Sequence, residues 1–557
     1  MKKILTLLFV SLSVSMFAQW VDDATVNTKV SGSITEVYDW DFTVNADNSI
    51  TTVFSAPQNG RIEMWYNIHN SDGVSIFPED AKMLASAPTR AFTVFGDIAF
   101  KDRDGNMLVV YQNCRIAEEN GMPIEGTSYL NYDIYKISPT GEFLWDEPLD
   151  LSRGYSSENL QAAISVSELE DGSYMFAFCD YRKTKEGSQI GRICIERASA
   201  DGELLWEEPI WIADENIQYA YPYLLSAGDN QTLLLYVKGS NQDLVMRKLD
   251  FDGSSVWGND VVVYRGGFPP VPVWTLLSVM SDGEGGAFVA WRDDRYFTDY
   301  EKSYVSHILA DGSYGYASGV DAEAVGYTEG MRSFEPTMLY DKEEKVLYTL
   351  RRETTSSQKI QRLMLQKTTD TGELLWGPEG VEMRPSDGSA VAYFDLEFAE
   401  DGNVVAFYMV QIDYNHVAAY AHKFNKETGE PMWAKDLEFS ARIGNRSALK
   451  VSPLVDGKYW VAMWKDERTL EEDLQSDDLY ISRLYMQRIF VDGTCDVPTL
   501  IDTPKDNLDV VVDGNNIIAP HNAEIYTVDG MRVGCYNLTP GIYIVRSGDS
   551  SVKVLIK

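Results

Sequence analysis

Apolar and polar positions alternate with a period of two along most of this chain. Tyr38, Trp40, Phe42 and Val44 mark the first such run, and Ser49 to Phe54 and Arg61 to Ile68 continue it. β-Branched and aromatic residues fill the apolar positions, which predicts half-buried strands. The strongest apolar peaks recur at Phe54, Tyr111, Phe178, Tyr236, Trp291, Tyr348, Tyr408 and Trp464, in steps of 55 to 67 residues. Six have a turn signal just before them, such as Asp171-Gly172 and Asp401-Gly402. No segment holds a sustained helical period.

A second repeat runs in step with the first. Thr371-Gly372-Glu373-Leu374-Leu375-Trp376 is a turn glycine, three strand residues and a tryptophan. The phrase returns as Gly141…Trp145, Gly202…Trp206, Gly253…Trp257 and Gly429…Trp433, and more weakly as Gly73…Phe77 and Gly312…Tyr316. An eighth turn, Asp492-Gly493, has Val497 in place of the aromatic. Glycine reaches the backbone angles of a tight hairpin without steric cost, and an aromatic four residues on can cover a sheet face. The glycines lie 51 to 68 residues apart, the length of one four-stranded propeller blade with its loops. The expected fold is all-β: a single eight-bladed β-propeller over 33–500, followed by a small C-terminal β-sandwich-like domain. A seven-bladed ring is the alternative if the first repeat is a partial blade. Trp145, Trp206, Trp257, Trp376 and Trp433 are expected to be buried at equivalent positions between blades.

The ends of the chain read differently. Met1-Lys2-Lys3, an apolar run from Ile4 to Val10 and a small residue at Ala18 have the form of a signal peptide over 1–18, cut between Ala18 and Gln19. Residues 19–32 read as a polar lead-in. Asp502-Thr503-Pro504-Lys505-Asp506-Asn507 reads as a linker (501–507), and 508–557 carries short strands and no tryptophan. No later stretch is long and apolar enough to span a membrane. The expected location is extracellular or on the outer-membrane surface, after transit of the periplasm.

Charge removes one class of partner. Forty-eight basic residues stand against 85 acidic ones, a net charge of −37, which repels phosphate backbones and excludes nucleic acid. Of the five cysteines none forms a CxxC pair, and no HExxH or HxH pair exists among the five histidines. His69, His307 and His422 fall in strands as structural residues. Cys179 and Cys194 lie on consecutive strands, joined by a loop near Lys185 to Ser188. A symmetric register sets them opposite each other, which in an oxidising compartment allows a cross-strand disulfide; the alternative is that the two pack as small buried hydrophobes.

Ile525-Tyr526-Thr527-Val528-Asp529-Gly530, Leu538-Thr539-Pro540-Gly541-Ile542-Tyr543 and the closing Lys553-Val554-Leu555-Ile556-Lys557 resemble the type A C-terminal sorting domain of the type IX secretion system. Leu538, Gly541, Tyr543, Lys553 and Lys557 carry the likeness; the Pro-Asn-Pro opening usual in that family is absent. The resemblance implies export across the outer membrane through that machinery, with the tail cleaved or used for surface attachment. The Gly-x-x-x-Trp turns, most closely Asn425 to Trp433, resemble the tryptophan-docking repeats of quinoprotein-like propellers. No two cysteines are adjacent, so the vicinal disulfide of quinoprotein dehydrogenases is missing and the resemblance implies kinship of fold without a quinone. The aromatic stands four residues after the glycine, which differs from the three of a sialidase Asp-box.

Candidate chemistry gathers where second strands end: Asp180-Tyr181-Arg182, Arg292-Asp293-Asp294-Arg295 and Lys465-Asp466-Glu467-Arg468. Equivalent strand ends share one rim. Tyr181, Arg182, Asp294, Arg295, Asp466 and Arg468 are therefore the candidate binding residues, their Arg forks gripping carboxylates or sugar hydroxyls. The competing account is Asp–Arg bridging between neighbouring blades. No catalytic residue and no metal ligand can be singled out; the acidic loops Asp299 to Glu301 and Glu471 to Asp478 could take Ca²⁺ but lack EF-hand spacing. The expected function is a binding or interaction module for a glycan or protein ligand on the propeller face. The alternative is a carbohydrate-active enzyme, a polysaccharide lyase or glycoside hydrolase, on the same scaffold.

Overall fold

The computed structural model describes residues 20–21, 23–58, 61–77, 81–86, 98–119, 122–154, 161–181, 191–266, 278–295, 301–385, 387–470, 481–495, 510–519, 523–527, 531–547 and 550–556. The proposed signal cleavage at Ala18 and Gln19, Arg182, Lys557 and the 501–507 linker lie outside the described residues. The chain divides into two compact units, Met1–Cys495 and Asp496–Lys557.

In the first unit the described residues form eight four-stranded antiparallel sheets. Seven are simple meanders in chain order, spanning residues 40–86, 99–150, 161–212, 219–264, 278–324, 332–384 and 390–440; we number them one to seven. The eighth combines Arg446–Val451, Tyr459–Asp466 and Arg483–Phe490 with Thr28–Lys29 from the start of the chain. Phe54, Tyr111, Phe178, Tyr236, Trp291, Tyr348, Tyr408 and Trp464 all lie on second strands and are buried. They anchor these strands because both sheet faces there pack on neighbours, so the second strands read as nearly continuous apolar runs.

The recurring glycine–aromatic phrase works between sheets. After each turn one residue bridges back to the third strand, as Leu204 does to Ala198. The chain then leaves the ladder, so the aromatic is not on a strand, contrary to the sequence reading. Its ring instead lies against the turn glycine of the next sheet. Trp145 of sheet two sits under Gly202 of sheet three, where a Cβ would come within 2.6 Å of the indole and φ is +84°. Only glycine serves both demands. Phe77 meets Gly141, Trp206 meets Gly253, Trp257 meets Gly312, Tyr316 meets Gly372, Trp376 meets Gly429 and Trp433 meets Gly493. The indole N–H of Trp145, Trp257 and Trp376 donates to the carbonyl two residues before the receiving glycine, at Ala200, Ala310 and Glu427, each at 3.0 Å. Trp145 is buried, whereas Trp206, Trp257, Trp376 and Trp433 are half-buried, a correction to the expectation of full burial.

The eighth sheet lacks its own aromatic, and Trp20 supplies it. A Cβ on Gly73 of sheet one would lie 2.9 Å from the Trp20 ring. The Trp20 indole donates to Ser71 O at 2.9 Å, again two residues before the glycine, and its backbone N–H donates to Asp72 O. Thr28 and Lys29 pair antiparallel with Met486 and Tyr485. Val30, Val37, Trp40, Ile50 and Phe54 share one apolar cluster with Val461, Met463, Leu484 and Met486. The stretch read from sequence as a lead-in is thus part of the last sheet, and it fastens the last sheet to the first.

The disulfide expectation fails by one residue of register. Cys179 pairs with Ile193, and Cys194 with Phe178. A shift of one position sends two side chains to opposite faces of a sheet. Cys194 faces sheet two beside Phe178, and Cys179 faces sheet four beside Ala220. Both are buried and neither is in a disulfide, and burial pushes Cys179 up to about 12.

In the second unit a hairpin of Val511–Asp513 and Asn516–Ile518 accompanies a four-stranded sheet ordered Arg532–Val533, Glu524–Thr527, Gly541–Ser547, Ser550–Ile556. Leu538 and Tyr543 are buried in its core with Ile525, Val545 and Ile556. The Tyr543 hydroxyl donates to Thr539 O at 2.8 Å, and Gly541 opens the strand. Lys553 is exposed.

Trp20→Ala in the chain starting at Gln19 removes the closing aromatic. The expected loss is about 3–5 kcal/mol, as for other buried tryptophans, read from denaturant unfolding followed by circular dichroism. Unchanged stability would show that the ring does not depend on this contact.

Candidate functional site

The rim where second strands end is built from local knots. In sheet five the Trp291 indole donates to Asp293 Oδ2 at 2.8 Å, while Arg295 grips the same carboxylate through Nε at 2.9 Å and Nη2 at 2.6 Å. Arg295 also lies over the Tyr304 ring at 3.7 Å and donates to Asp321 O. Sheet eight repeats this: the Trp464 indole and Arg468 both donate to Asp466, at 3.0 and 2.5 Å. Arg446 adds a contact to Asp466 at 3.0 Å. Asp466 is buried, and although burial opposes it, Arg468 and Arg446 hold its carboxyl below the usual carboxylate range. Arg468 then reaches Val26 O, Asn27 Oδ1 and Ser440 Oγ, tying the N-terminal segment to sheets seven and eight. Asp180 is buried with Arg192 at 3.9 Å; Tyr181 and Asp294 are half-buried. The sequence therefore placed Tyr181, Asp294, Arg295, Asp466 and Arg468 at equivalent strand ends, but the knots sit in separate sheets and do not converge on one point.

Two of the strand histidines are held by carboxylates. His307 bonds Asp282 at 3.1 Å and Asp370 O at 2.9 Å, and His422 bonds Asp436 at 2.6 Å. Burial lowers His69 to about 4. Of the acidic loops, Glu301 is described and pairs with Arg332 at 3.4 Å; Asp299 and residues 471–478 lie outside the described residues. No helix among the described residues is long and apolar enough to cross a membrane.

A different constellation lies along the first strands. Trp40–Val44, Ala99–Lys101, Ala390–Phe398 and Arg446–Val451 belong to four sheets that are consecutive around the closure. They bring Asp41, Lys101, Asp395 and Lys450 around one cavity of about 540 Å³. Lys101 also borders a second cavity of about 480 Å³, lined by first-strand residues of sheets three and four. We call these two cavities, which share Lys101 and are walled mainly by first strands, the channel. Lys450 pairs with Asp41 at 3.0 Å, and Lys101 donates to Val44 O at 2.6 Å.

Asp395 and Glu397 alternate with Phe394, Leu396 and Phe398, so both acids project from one face of their strand. Burial pushes Asp395 up to about 6, against hydrogen bonds from the Leu396 and Val451 amides and the pull of Lys450. Burial, then the neighbouring Asp395, pushes Glu397 up to about 8. Both carboxyls are thus pushed toward neutral pH, Glu397 further than Asp395. That is the split an acid–base pair needs. Sequence reasoning missed both residues, because Phe-Asp-Leu-Glu-Phe reads as an ordinary strand with one wet face.

First strands carry a further shared feature. Ala163, Tyr221, Tyr393 and Ala448 have φ between 47° and 56°, each at a register shift against the second strand. A side chain at such φ costs about 1–2 kcal/mol.

The chain matches no protein-family model and no curated protein. Among solved structures it is similar to the polysaccharide lyase Uly1 (11% identity, TM-score 0.40, covering 72% of this chain and 91% of that one). It is also similar to the β-propeller domain of the trilobed protease from Pyrococcus furiosus (10%, 0.36, 73% and 99%) and to the Dos1 propeller (7%, 0.39, 80% and 92%).

The shifted carboxyls set a pH dependence. Glu397 binds its proton more tightly folded than at its ordinary 4.5, so folding takes up a proton between about pH 4.5 and 8. Stability should fall as pH rises through that window, with Asp395 adding the same sign up to about 6. Glu397→Gln should be more stable than the parent at pH 8 and should flatten the decline. Thermal melts from pH 5 to 9 read this directly.

Proposed function

We propose that the protein is an exported β-propeller of eight blades that acts as a binding module for a polyhydroxylated ligand, a glycan, held in its channel. The count of eight blades, rather than seven, is supported by the eight four-stranded sheets among the described residues of the first unit, the last completed by Thr28–Lys29. The observation that carries the binding reading is the cavity of about 540 Å³ in which Asp41, Asp395, Lys101 and Lys450 converge from four sheets. Its size is that of small-molecule sites, and convergent polar groups are what fix a ligand's orientation there. No cofactor enters the proposal.

A second reading is catalysis on the same glycan. It is favoured by the Asp395–Glu397 pair, with Glu397 as proton donor and Asp395 as base. We assign the rim residues Arg295, Asp466 and Arg468 a supporting role, since they fasten strand ends; Tyr181 and Asp294 stand at equivalent strand ends, and Arg182 lies outside the described residues. Export begins with cleavage after Ala18 and ends with the 508–557 tail acting as an address for the type IX machinery.

A polysaccharide panel titrated against the mature protein, with chromatography of any products, tests the site. Binding that weakens at least tenfold in Asp395→Asn, without products, supports the module. Products that vanish in Glu397→Gln establish the enzyme. Binding indifferent to both changes overturns the channel as the site. Deleting 508–557 should leave a folded propeller in the periplasm with an unchanged melting transition; truncated protein at the cell surface or in the medium would overturn the address.

A further inference from the structure

A third cavity, of about 520 Å³, opens between sheets seven and eight at the rim where second strands end. It borders none of the channel residues named above. Tyr393 and Tyr414 line it, with Gln411, Asn415, Asn445 and Glu467 between them.

Neither tyrosine is placed by the needs of the fold. Tyr414 and Asn415 are the two-residue turn between Val404–Asp413 and His416–Phe424, where Asp413 pairs with His416. Such turns favour Asn-Gly and similar pairs, yet here the first position holds a tyrosine that is 87% exposed. Asp413 Oδ1 accepts the Asn415 amide at 2.8 Å and orients the turn. Tyr393 has φ 47°, a conformation aromatic residues seldom adopt, and is 49% exposed. The strained bulge thus presents a ring to solvent without gaining core packing. Arg446 also lines the cavity, its guanidinium already engaged by Asp466, Ser440 and backbone carbonyls. The Glu467 amide donates to Asn445 O at 2.9 Å and fixes that side of the cavity.

Two exposed phenol rings with amides and one carboxylate between them match the two surfaces of a sugar ring. The apolar C–H face stacks on an aromatic, and the hydroxyls bond planar groups that both donate and accept. The net charge of −37 opposes phosphorylated and other anionic ligands. We propose that this cavity is a binding site for a neutral oligosaccharide, separate from the channel and standing whether or not the channel binds anything.

Calorimetric titration of the mature protein with cellohexaose, xylohexaose, mannohexaose, maltohexaose, laminarihexaose and chitohexaose tests this. At least one should bind. Tyr414→Ala and Tyr393→Ala should each weaken that hexaose at least tenfold, while the melting temperature of Tyr414→Ala stays unchanged because the ring is exposed. Glu397→Gln, on the first strand that carries the channel residue Asp395, should leave the same affinity intact. Binding lost only in channel variants overturns the rim site and leaves the channel reading standing. No binding of any hexaose, or binding unaffected by both tyrosine changes, also overturns it, including the case where this face captures a protein instead.

Discussion

The architecture depends on one contact, an aromatic ring from one sheet pressed against the turn glycine of the next. A side chain at the glycine would overlap the ring, as the 2.6 Å approach at Gly202 shows, so ring and glycine are each fixed by the other. Repeated from sheet to sheet, the contact sets their spacing. Taken up by Trp20 at Gly73, it turns a row of sheets into a closed one. A closed row leaves no exposed edge between its ends, which is how an all-β chain of this length avoids edge pairing with other molecules.

That periodic contact is why so much of the fold was legible. The glycines and second-strand aromatics recur because each sheet solves the same packing problem, and a sequence repeat records it. The closing contact was not legible, because Trp20 does not stand four residues after a turn glycine and so carries no copy of the repeated phrase. Nor was the register of Cys179 and Cys194. Pairing in a hairpin depends on the geometry of its turn, and a symmetric count across the loop misses an offset of one residue. The four bulges with positive φ fall on Ala163, Tyr221, Tyr393 and Ala448, none a residue type that signals that conformation.

The candidate sites show the same division. The Asp–Arg clusters were visible as repeated letters, and repetition is the mark of a structural device: Asp293 with Arg295 and Asp466 with Arg468 hold strand ends. Asp395 and Glu397 stand alone on one first strand, and nothing distinguishes them among 85 acidic residues until the closure encloses them. What makes them unusual is burial, a property of the assembled ring. The rim cavity depends on sheets seven and eight being held together, and the channel on sheets seven, eight, one and two; the N-terminal segment ties sheet eight to sheets seven and one.

Hydrogen exchange of the amide groups from Thr28 to Val30 tests the closure most directly. The Val30 N–H donates to Leu484 O at 2.8 Å inside the last sheet. In the intact protein these amides should exchange as slowly as those of the central strand Val404–Asp413, and should speed up when Trp20 is replaced by Ala. Rapid exchange of Thr28 to Val30 in the intact protein, with the other sheets protected, would contradict the account.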